Sequence, residues 1–101
     1  MQPHKLKVEN TPIGQPVQFR GYEGSAFTLQ TVYYSSEDPS KYVTIYDSDG
    51  DVVSFPMPGQ IDPKPITVGP VTVKLPISII DEAGNNEVII RGTLTKSTIS
   101  W

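Results

Sequence analysis

The sequence VTVKLPISII, residues 71–80, has apolar side chains at every second position from Val71 to Ile79. Its apolar members fall at every second position: Val71, Val73, Leu75, Ile77 and Ile79. Because successive side chains of a β-strand point to opposite faces, this spacing predicts a strand with one buried and one solvated face. Pro76 cannot donate a hydrogen bond to a neighbouring strand, which predicts an edge position or a bulge there.

A second alternating run, EVIIRGTLTK at residues 87–96, follows after a short polar stretch. Val88, Ile90 and Leu94 would share one of its faces. The intervening DEAGNN, residues 81–86, consists mainly of residues that favour turns. The two runs are therefore predicted to pair as a β-hairpin with a long loop.

Other stretches have the same character, and helical periodicity is nearly absent. Further strands are predicted in KLKVE (5–9), PVQFRG (16–21), SAFTLQTVYYSS (25–36), KYVTIYD (41–47) and VVSF (52–55). About seven short strands separated by turn-forming residues are typical of a sandwich or a small barrel. We therefore predict an all-β protein: a single antiparallel β-sandwich domain over residues 1–101, of the jelly-roll or immunoglobulin-like type.

The composition argues against several classes of function. The chain has 101 residues, a net charge of −3 and 8 Lys and Arg residues that form no cluster, so nucleic-acid binding is not expected. Without cysteine it has no disulfide and no thiolate chemistry. No apolar run approaches the ~18 residues of a membrane helix, and the N-terminal residues lack the apolar core of a signal peptide. We expect a protein made in the cytoplasm that binds no membrane and needs no cofactor.

Residues 56–70, PMPGQIDPKPITVGP, contain half of the 10 prolines in the chain. Proline fixes φ, removes a hydrogen-bond donor and favours an extended polyproline II course. The segment is predicted to be an extended crossover between sheets or an arm that lies on another subunit. Its candidate contact residues are Pro56, Pro58, Pro63 and Pro65.

The acidic stretch DSDGD, residues 47–51, has some features of a calcium loop. An EF-hand needs glycine at its sixth position and a bidentate glutamate at its twelfth. With Gly50 at the sixth position, the twelfth falls on a proline, which cannot bind the ion. We predict a hairpin tip instead, with Gly50 at positive φ and with Asp47 and Asp49 bonded to nearby main-chain groups. A weak surface cation at Asp47, Asp49 and Asp51 is the alternative.

The sequence shows no set of residues arranged for catalysis. His4, the only histidine, lies in a polar N-terminal segment and is predicted to be solvated. The nucleophile motif GxSxG is absent, and the acidic pairs fall in predicted loops, where nothing holds them at the separation that glycoside hydrolysis requires. We therefore predict that the protein is not an enzyme and has no metal site.

Tyrosine is concentrated in two predicted strands. Tyr33 and Tyr34 are adjacent in sequence, so one of them must face away from the core. Tyr42 and Tyr46 are predicted on the outer face of the next strand. Together they would form an exposed stripe suited to stacking on sugars or to a protein interface. The alternative is that a loop covers this outer face.

The C-terminal residues KSTISW end on two apolar side chains, Ile99 and Trp101. A tryptophan exposed to water would promote aggregation, so Trp101 is predicted to pack on this domain or to insert into a neighbour. Besides the four prolines, the predicted interface residues are Tyr34, Tyr42, Tyr46, Ile99 and Trp101.

The segments ITVGPVTVKLPISI (66–79) and NNEVIIRGTL (85–94), with the proline-rich stretch and the lack of cysteine, resemble the small all-β structural proteins of tailed bacteriophages. These include capsid decoration, knob and tail-associated subunits. The resemblance implies a virion component, made in the host cytoplasm, that decorates or cements a capsid or tail. Its partners would be capsid or tail proteins or further copies of itself, bound through many weak contacts.

Two other functions remain open from the sequence. A carbohydrate- or ligand-binding module would use the tyrosine stripe as its platform for a glycan. An immunoglobulin-like adhesive domain cut from a longer chain is the third interpretation.

Overall fold

The computed structural model describes residues 2–53 and 56–95. Within these ranges there are eight β-strands and no α-helix: β1 (Gln2–Val8), β2 (Pro16–Gln18), β3 (Ala26–Tyr34), β4 (Tyr42–Tyr46), β5 (Met57–Pro58), β6 (Ile66–Lys74), β7 (Ser78–Asp81) and β8 (Val88–Thr95). The predicted all-β class is confirmed, with eight strands instead of about seven. None of the described residues belongs to a helix that could span a membrane.

The strands form two antiparallel sheets of four strands each. Sheet A has the order β1-β8-β3-β6 and sheet B the order β2-β7-β4-β5. The chain therefore pairs β1 with β8, β2 with β7, β3 with β6 and β4 with β5, like one long hairpin rolled up from its apex. This is the strand order of a jelly roll, which decides between the two predicted types of sandwich.

The hydrophobic core lies between the two sheets. It is built from the inward side chains of both, of which the largest fully buried ones are Tyr34, Phe27, Leu29, Ile45, Leu75, Ile77, Ile79 and Ile90. In β4 the alternation is simple, because Val43 and Ile45 are buried while their neighbours face outwards. Complete burial of one such side chain contributes about 1.5–3 kcal/mol.

The predicted hairpin between residues 71–80 and 87–96 is wrong. β6 ends at Lys74 in sheet A, and β7 begins at Ser78 in sheet B. The alternating run thus crosses from one sheet to the other in its middle. β8 pairs with β1 and β3 in sheet A, so β7 and β8 belong to opposite sheets.

The predicted faces of these two runs are nevertheless correct. Leu75, Ile77 and Ile79 are all buried, as is Val88 on β8. Both sheets point their inner faces at one core, so a side chain keeps its inward direction when the strand changes sheets. Pro76 lies at the crossing between β6 and β7, outside both strands, where its missing N–H costs no ladder hydrogen bond.

A bulge changes the phase of alternation in the middle of β3. The register with both neighbouring strands shifts between Leu29 and Thr31. Phe27 and Leu29 are buried before the shift, and Val32 and Tyr34 are buried after it. The prediction of Tyr34 as an exposed contact is therefore wrong, because its exposed fraction is 0%. An extra residue in one strand produces this change of face.

The apex of the rolled hairpin lies between β4 and β5. Val53 N donates to the carbonyl of Ile45 at 2.8 Å, and Tyr46 and Val52 form an isolated bridge. Of the strand predicted at residues 52–55, the described residues form only this bridge. Ser54 and Phe55 lie outside the described part of the chain.

The proline-rich segment is not a continuous arm over residues 56–70. Met57 and Pro58 form β5, and the residues from Ile66 onwards belong to β6. Only residues 59–65 form a connection, which leads from sheet B to sheet A. Proline is tolerated in both strands because each of them is the edge of its sheet.

His4 is not a solvated tail residue. It belongs to β1, where it lies opposite Gly92 of β8. Its ring meets Tyr22 edge-on at 5.1 Å between centroids and Phe27 at 6.2 Å. His4 is half-buried and shares its face of β1 with the buried Leu6, so it covers the edge of the core beside Phe27.

Candidate functional site

An apolar groove lies between the edge strands of the two sheets. β6 is the last strand of sheet A and β5 the last of sheet B, and together they border a groove of about 720 Å³. Its apolar walls are formed mainly by Tyr34, Val53, Met57, Ile66, Val68 and Val71. This volume is within the ~300–1,000 Å³ of typical binding clefts.

The groove results from a difference in length between the two edge strands. β6 has nine residues and β5 only two, so the described strands of sheet B cover the inner face of β6 only in part. Ile66, Val68 and Val73 pack against the core but remain partly exposed. Apolar surface therefore stays in contact with water, at a cost of roughly 25 cal/mol per Å².

Two of the polar side chains around the groove, Tyr34 and Gln60, already have hydrogen-bond partners. The hydroxyl of Tyr34 donates to the carbonyl of Pro58 and so joins β3 to β5. Burial raises the pKa of the Tyr34 hydroxyl above its ordinary value, which keeps this donor neutral. The Nε2 atom of Gln60 donates to the carbonyl of Lys64 at 3.3 Å. Its main-chain nitrogen donates to the carbonyl of Ser36 at 2.9 Å.

The lining of the groove carries no charge. Among its described lining residues there is no Asp, Glu, His, Lys or Arg, and the polar members are Tyr34, Gln60 and Thr67. General acid–base or nucleophilic chemistry needs titratable groups that converge on one point. The arrangement is therefore suited to contact with apolar side chains.

β6 adds a free strand edge beside this groove. Within the described residues its one strand partner is β3, from Val32–Ile66 to Ala26–Lys74. The main-chain N–H and C=O groups on its other side can pair with a further strand. This edge is divided in two at Pro70, which has no N–H to donate and lies in the register shift opposite Gln30.

The four predicted contact prolines fall into two groups. Pro56 and Pro58 border the groove, and both are exposed. Pro63 and Pro65 lie in the connection of residues 59–65, where Pro63 is half-buried and Pro65 exposed. Two of the four are thus part of the candidate site.

The predicted tyrosine stripe does not form. Tyr34 lies in the floor of the groove, and Tyr33 faces outwards from sheet A. Tyr42, which is 41% exposed, and the half-buried Tyr46 face outwards from sheet B. Since the two outer faces lie on opposite sides of the sandwich, no single ligand can stack on all of these rings.

The sites predicted from the sequence do not include Ile66, Val68 or Val71. The sequence does contain one signal for them. Apolar residues lie two positions apart at Ile66 and Val68, but Val71 follows three positions after Val68, beyond a Gly-Pro pair. Such a break is typical of an irregular edge strand. Ile99 and Trp101 lie outside the described residues, so their predicted role as contacts stays a prediction.

The acidic stretch forms the predicted hairpin tip. Gly50 has a φ of 85° and donates from its nitrogen to the carbonyl of Asp47 at 3.1 Å. The Oδ1 atom of Asp47 accepts hydrogen bonds from the main-chain nitrogens of Asp49 at 2.9 Å and Asp51 at 3.0 Å. Over residues 2–53 and 56–95, no group of three potential metal ligands is found.

Replacing Asp47 with alanine is expected to lower the free energy of unfolding by about 0.5–1.5 kcal/mol, because two main-chain N–H groups lose their acceptor. The control Asp49→Ala removes the same charge but neither of these bonds, so its effect should stay within about 0.5 kcal/mol. Urea unfolding measures both. A thermal midpoint that rises with calcium in the wild type and in neither variant would instead identify a cation site.

No protein-family model matches this chain, and no curated protein gives a significant match.

Proposed function

We propose that this protein is a non-enzymatic structural protein that binds a protein subunit of a larger assembly through the groove and the free edge of β6. The occupant is an extended segment with apolar side chains at alternate positions. In its biological setting the protein decorates or cements a virion, as part of a capsid or a tail.

The length difference between β5 and β6 is the observation that carries this proposal. Within the described residues, β6 is nine residues long and β5 only two, which leaves both a partly uncovered apolar face and an unpaired main-chain edge at one place. An added strand would use both, because its main chain pairs with β6 while every second side chain enters the groove. Burial of this surface would be favourable in proportion to its apolar area.

The chemistry of the groove supports a protein segment over a small polar ligand. Its lining is apolar and uncharged, and the hydroxyl of Tyr34 is engaged by Pro58. A glycan would need aromatic platforms with polar groups that converge on its hydroxyls. The exposed tyrosines are divided between the two outer faces of the sandwich, so the carbohydrate-binding alternative loses the platform on which it depends.

The fold supports a virion component by analogy. Jelly rolls occur in viral capsid proteins, as well as in lectins and cupins. A small protein that binds at many equivalent positions can stabilise a shell although each contact is weak. The resemblance to bacteriophage structural proteins supports the same assignment.

The first test is density-gradient sedimentation of the protein from its native source, with mass spectrometry on every fraction. We expect it to sediment with megadalton particles, and the co-sedimenting proteins to include the subunit that fills the groove. Recovery only at the top of the gradient, as a species near 11.1 kDa, would contradict the proposal.

A pair of variants then tests whether the protein binds the particle through the groove. Val68→Glu places a charge on the apolar wall, and Thr72→Glu places the same charge on the outer face of the same strand. We expect Val68→Glu to lose rebinding to stripped particles and Thr72→Glu to retain it. Equal rebinding of the two variants would exclude the groove as the binding surface.

A further inference from the structure

We propose that copies of this protein bind each other, through a basic site on the outer face of sheet A and the acidic hairpin tip of the next copy. The basic site is formed by Lys5 of β1 and Arg91 of β8, and the tip presents Asp49 and Asp51. This contact is separate from the groove and goes beyond the function proposed above.

The fold brings together two cations that lie far apart in the sequence. Lys5 and Arg91 are directly opposite each other in the antiparallel pair of β1 and β8, and both are exposed. Their neighbours Leu6 and Ile90 are buried, so the charged side chains point outwards from sheet A. Like charges at opposite positions of a strand pair are destabilising, so an anion that binds both would remove a cost already present in the folded protein.

Lys7 shows the same face with its charge compensated. It is the next outward residue of β1, and its Nζ atom forms ion pairs with Glu9 at 3.0 Å and with Glu87 at 3.4 Å. Within the described part of the chain, neither Lys5 nor Arg91 forms an ion pair. An external carboxylate therefore gains most at the basic site.

The acidic hairpin tip carries two exposed carboxylates. It consists of residues 47–51, which project beyond the last bridge of that hairpin. Asp47 is used within the turn, because its Oδ1 atom accepts two main-chain hydrogen bonds. The carboxylates of Asp49 and Asp51 form no hydrogen bond and no ion pair with any other described residue. They are available to a neighbouring molecule.

The basic site and the tip match in shape and in spacing. A concavity of about 300 Å³ lies at the basic site, lined by Pro3, His4, Lys5, Arg91 and Gly92. As direct cross-strand neighbours, Lys5 and Arg91 have Cβ atoms about 4.5–5.5 Å apart. Asp49 and Asp51 are two positions apart in the chain, which limits the distance between their Cα atoms to about 7 Å. One protruding tip can thus place a carboxylate at each cation.

The tip does not reach the basic site of its own copy. Lys5 and Arg91 point away from sheet B, whereas the tip extends from β4 in sheet B. The two sheets of a sandwich lie about 10 Å apart, with the core between them. Residues 47–51 extend at most about 9 Å from their bridge, because the chain has to return to it. The basic site lies beyond sheet A, so tip and site meet only between two copies.

The contact joins two different surfaces, and every copy carries both. Two copies can exchange it reciprocally, or more copies can continue it head to tail into a ring or a filament. Exposed ion pairs are individually weak, so we expect a Kd on the order of 0.1–1 mM for one contact in solution. Copies that a particle holds close together would strengthen it by repetition.

Sedimentation velocity at low and high salt tests the contact. The Debye length falls from about 30 Å at 0.01 M to about 3 Å at 1 M salt, so self-association should weaken by about tenfold or more across this range. The site variant Lys5→Glu/Arg91→Glu and the tip variant Asp49→Lys/Asp51→Lys should each weaken it as strongly at low salt. All four side chains are exposed, and far-UV circular dichroism checks that the variants fold.

Control variants separate this contact from a general effect of net charge. Lys41→Glu/Lys64→Glu and Glu37→Lys/Asp62→Lys change the charge by the same amounts on exposed loops, and both should associate as the wild type does. The quadruple variant that combines the site and tip substitutions has the net charge of the wild type. Its exchanged charges complement each other again, so it should recover self-association.

Carbodiimide cross-linking of mixed isotope-labelled and unlabelled protein identifies the residues in contact. We expect an intermolecular amide between the Lys5 amine and the carboxyl group of Asp49 or Asp51, found by mass spectrometry. Lys5→Arg keeps the charge but has no amine, so it should lose this link and retain self-association.

The outcomes separate this inference from the proposed function. A monomer at every salt concentration would overturn the inference, as would association that the site and tip variants leave unchanged. Aggregation of the site variant without a defined wild-type complex would also overturn it, because Lys5 would then only keep the edge of β1 from pairing. A monomer that binds a polyglutamate peptide through Lys5 and Arg91 would assign the site to another acidic protein instead. Val68→Glu should retain self-association while it loses particle rebinding, so the groove is tested independently.

Discussion

Replacing Asp81 with alanine is expected to lower the free energy of unfolding by about 3–5 kcal/mol, since one buried and two partly buried donors would lose their acceptor. Asp81 ends β7 and is only 1% exposed. Its carboxyl group accepts hydrogen bonds from Thr11 Oγ1 at 2.7 Å, Asn86 Nδ2 at 2.8 Å and Ala83 N at 3.1 Å. For a domain of this size the expected loss is a large part of the total stability.

The effect should be large because this cluster joins two connections between the sheets. Thr11 belongs to the link from β1 to β2, and Asn86 to the link from β7 to β8. Asn86 N donates to Thr11 Oγ1 at 3.0 Å, and the carbonyl of Asp81 accepts from Gly14 N at 2.8 Å. Removal of the carboxyl group takes one hydrogen bond from each connection, at Thr11 and at Asn86, while the main-chain bond from Gly14 remains.

Urea unfolding followed by far-UV circular dichroism measures this effect. Asp81→Asn keeps the shape and one acceptor oxygen, so we expect about half the loss of Asp81→Ala. Asp62→Ala is a matched control on the surface, where the carboxylate makes one exposed ion pair of 3.9 Å, and it should change stability by less than about 0.5 kcal/mol. A loss below 1 kcal/mol for Asp81→Ala would contradict the buried cluster.

The second large effect is expected for Gly92→Ala, which should destabilise the protein by about 3 kcal/mol. Gly92 lies in β8 between β1 and β3, beside the bulge of β3. A Cβ atom there would overlap the carbonyl oxygen of Thr28 and lie 2.9 Å from the Phe27 ring. The main chain on both sides is held in the sheet, so neither strand can move away.

Two other glycines provide the comparison for Gly92. A Cβ at Gly69 would overlap the carbonyl oxygen of Leu29. β6 is an edge strand that can shift outwards, however, so Gly69→Ala should cost less than Gly92→Ala. Gly14 has open space and a φ of 64°, which asparagine tolerates, so Gly14→Asn should stay within about 1 kcal/mol of the wild type. If Gly92→Ala were no more harmful than Gly14→Asn, the close packing at the bulge would be refuted.

The alternation of residues 71–80 was sufficient to predict which side chains face the core. Leu75, Ile77 and Ile79 are buried as expected, although the strand partner was predicted wrongly. The direction of a side chain follows from the period of a single segment, which can be read locally. The hydrogen-bond partner depends on a second segment far away in the chain, and the alternation contains no information about it.

The candidate site was predictable only in part for the same reason. Pro56 and Pro58 border the groove because proline is confined to edge strands, which is a local rule. The groove itself depends on the nine residues of β6 lying opposite the two of β5. That opposition exists only after the two sheets have packed, so no single segment predicts it.

The sequence by itself therefore determined the all-β class, the inward faces of residues 71–80 and of β4, and the turn at Gly50, because each depends on residues close together in the chain. Only the tertiary structure decided the jelly-roll order, the burial of Tyr34 and the position of the groove. The bulge in β3 shows the physical reason. It is accommodated by Gly69 and Gly92 on the two flanking strands, and these three segments meet only in the folded sheet.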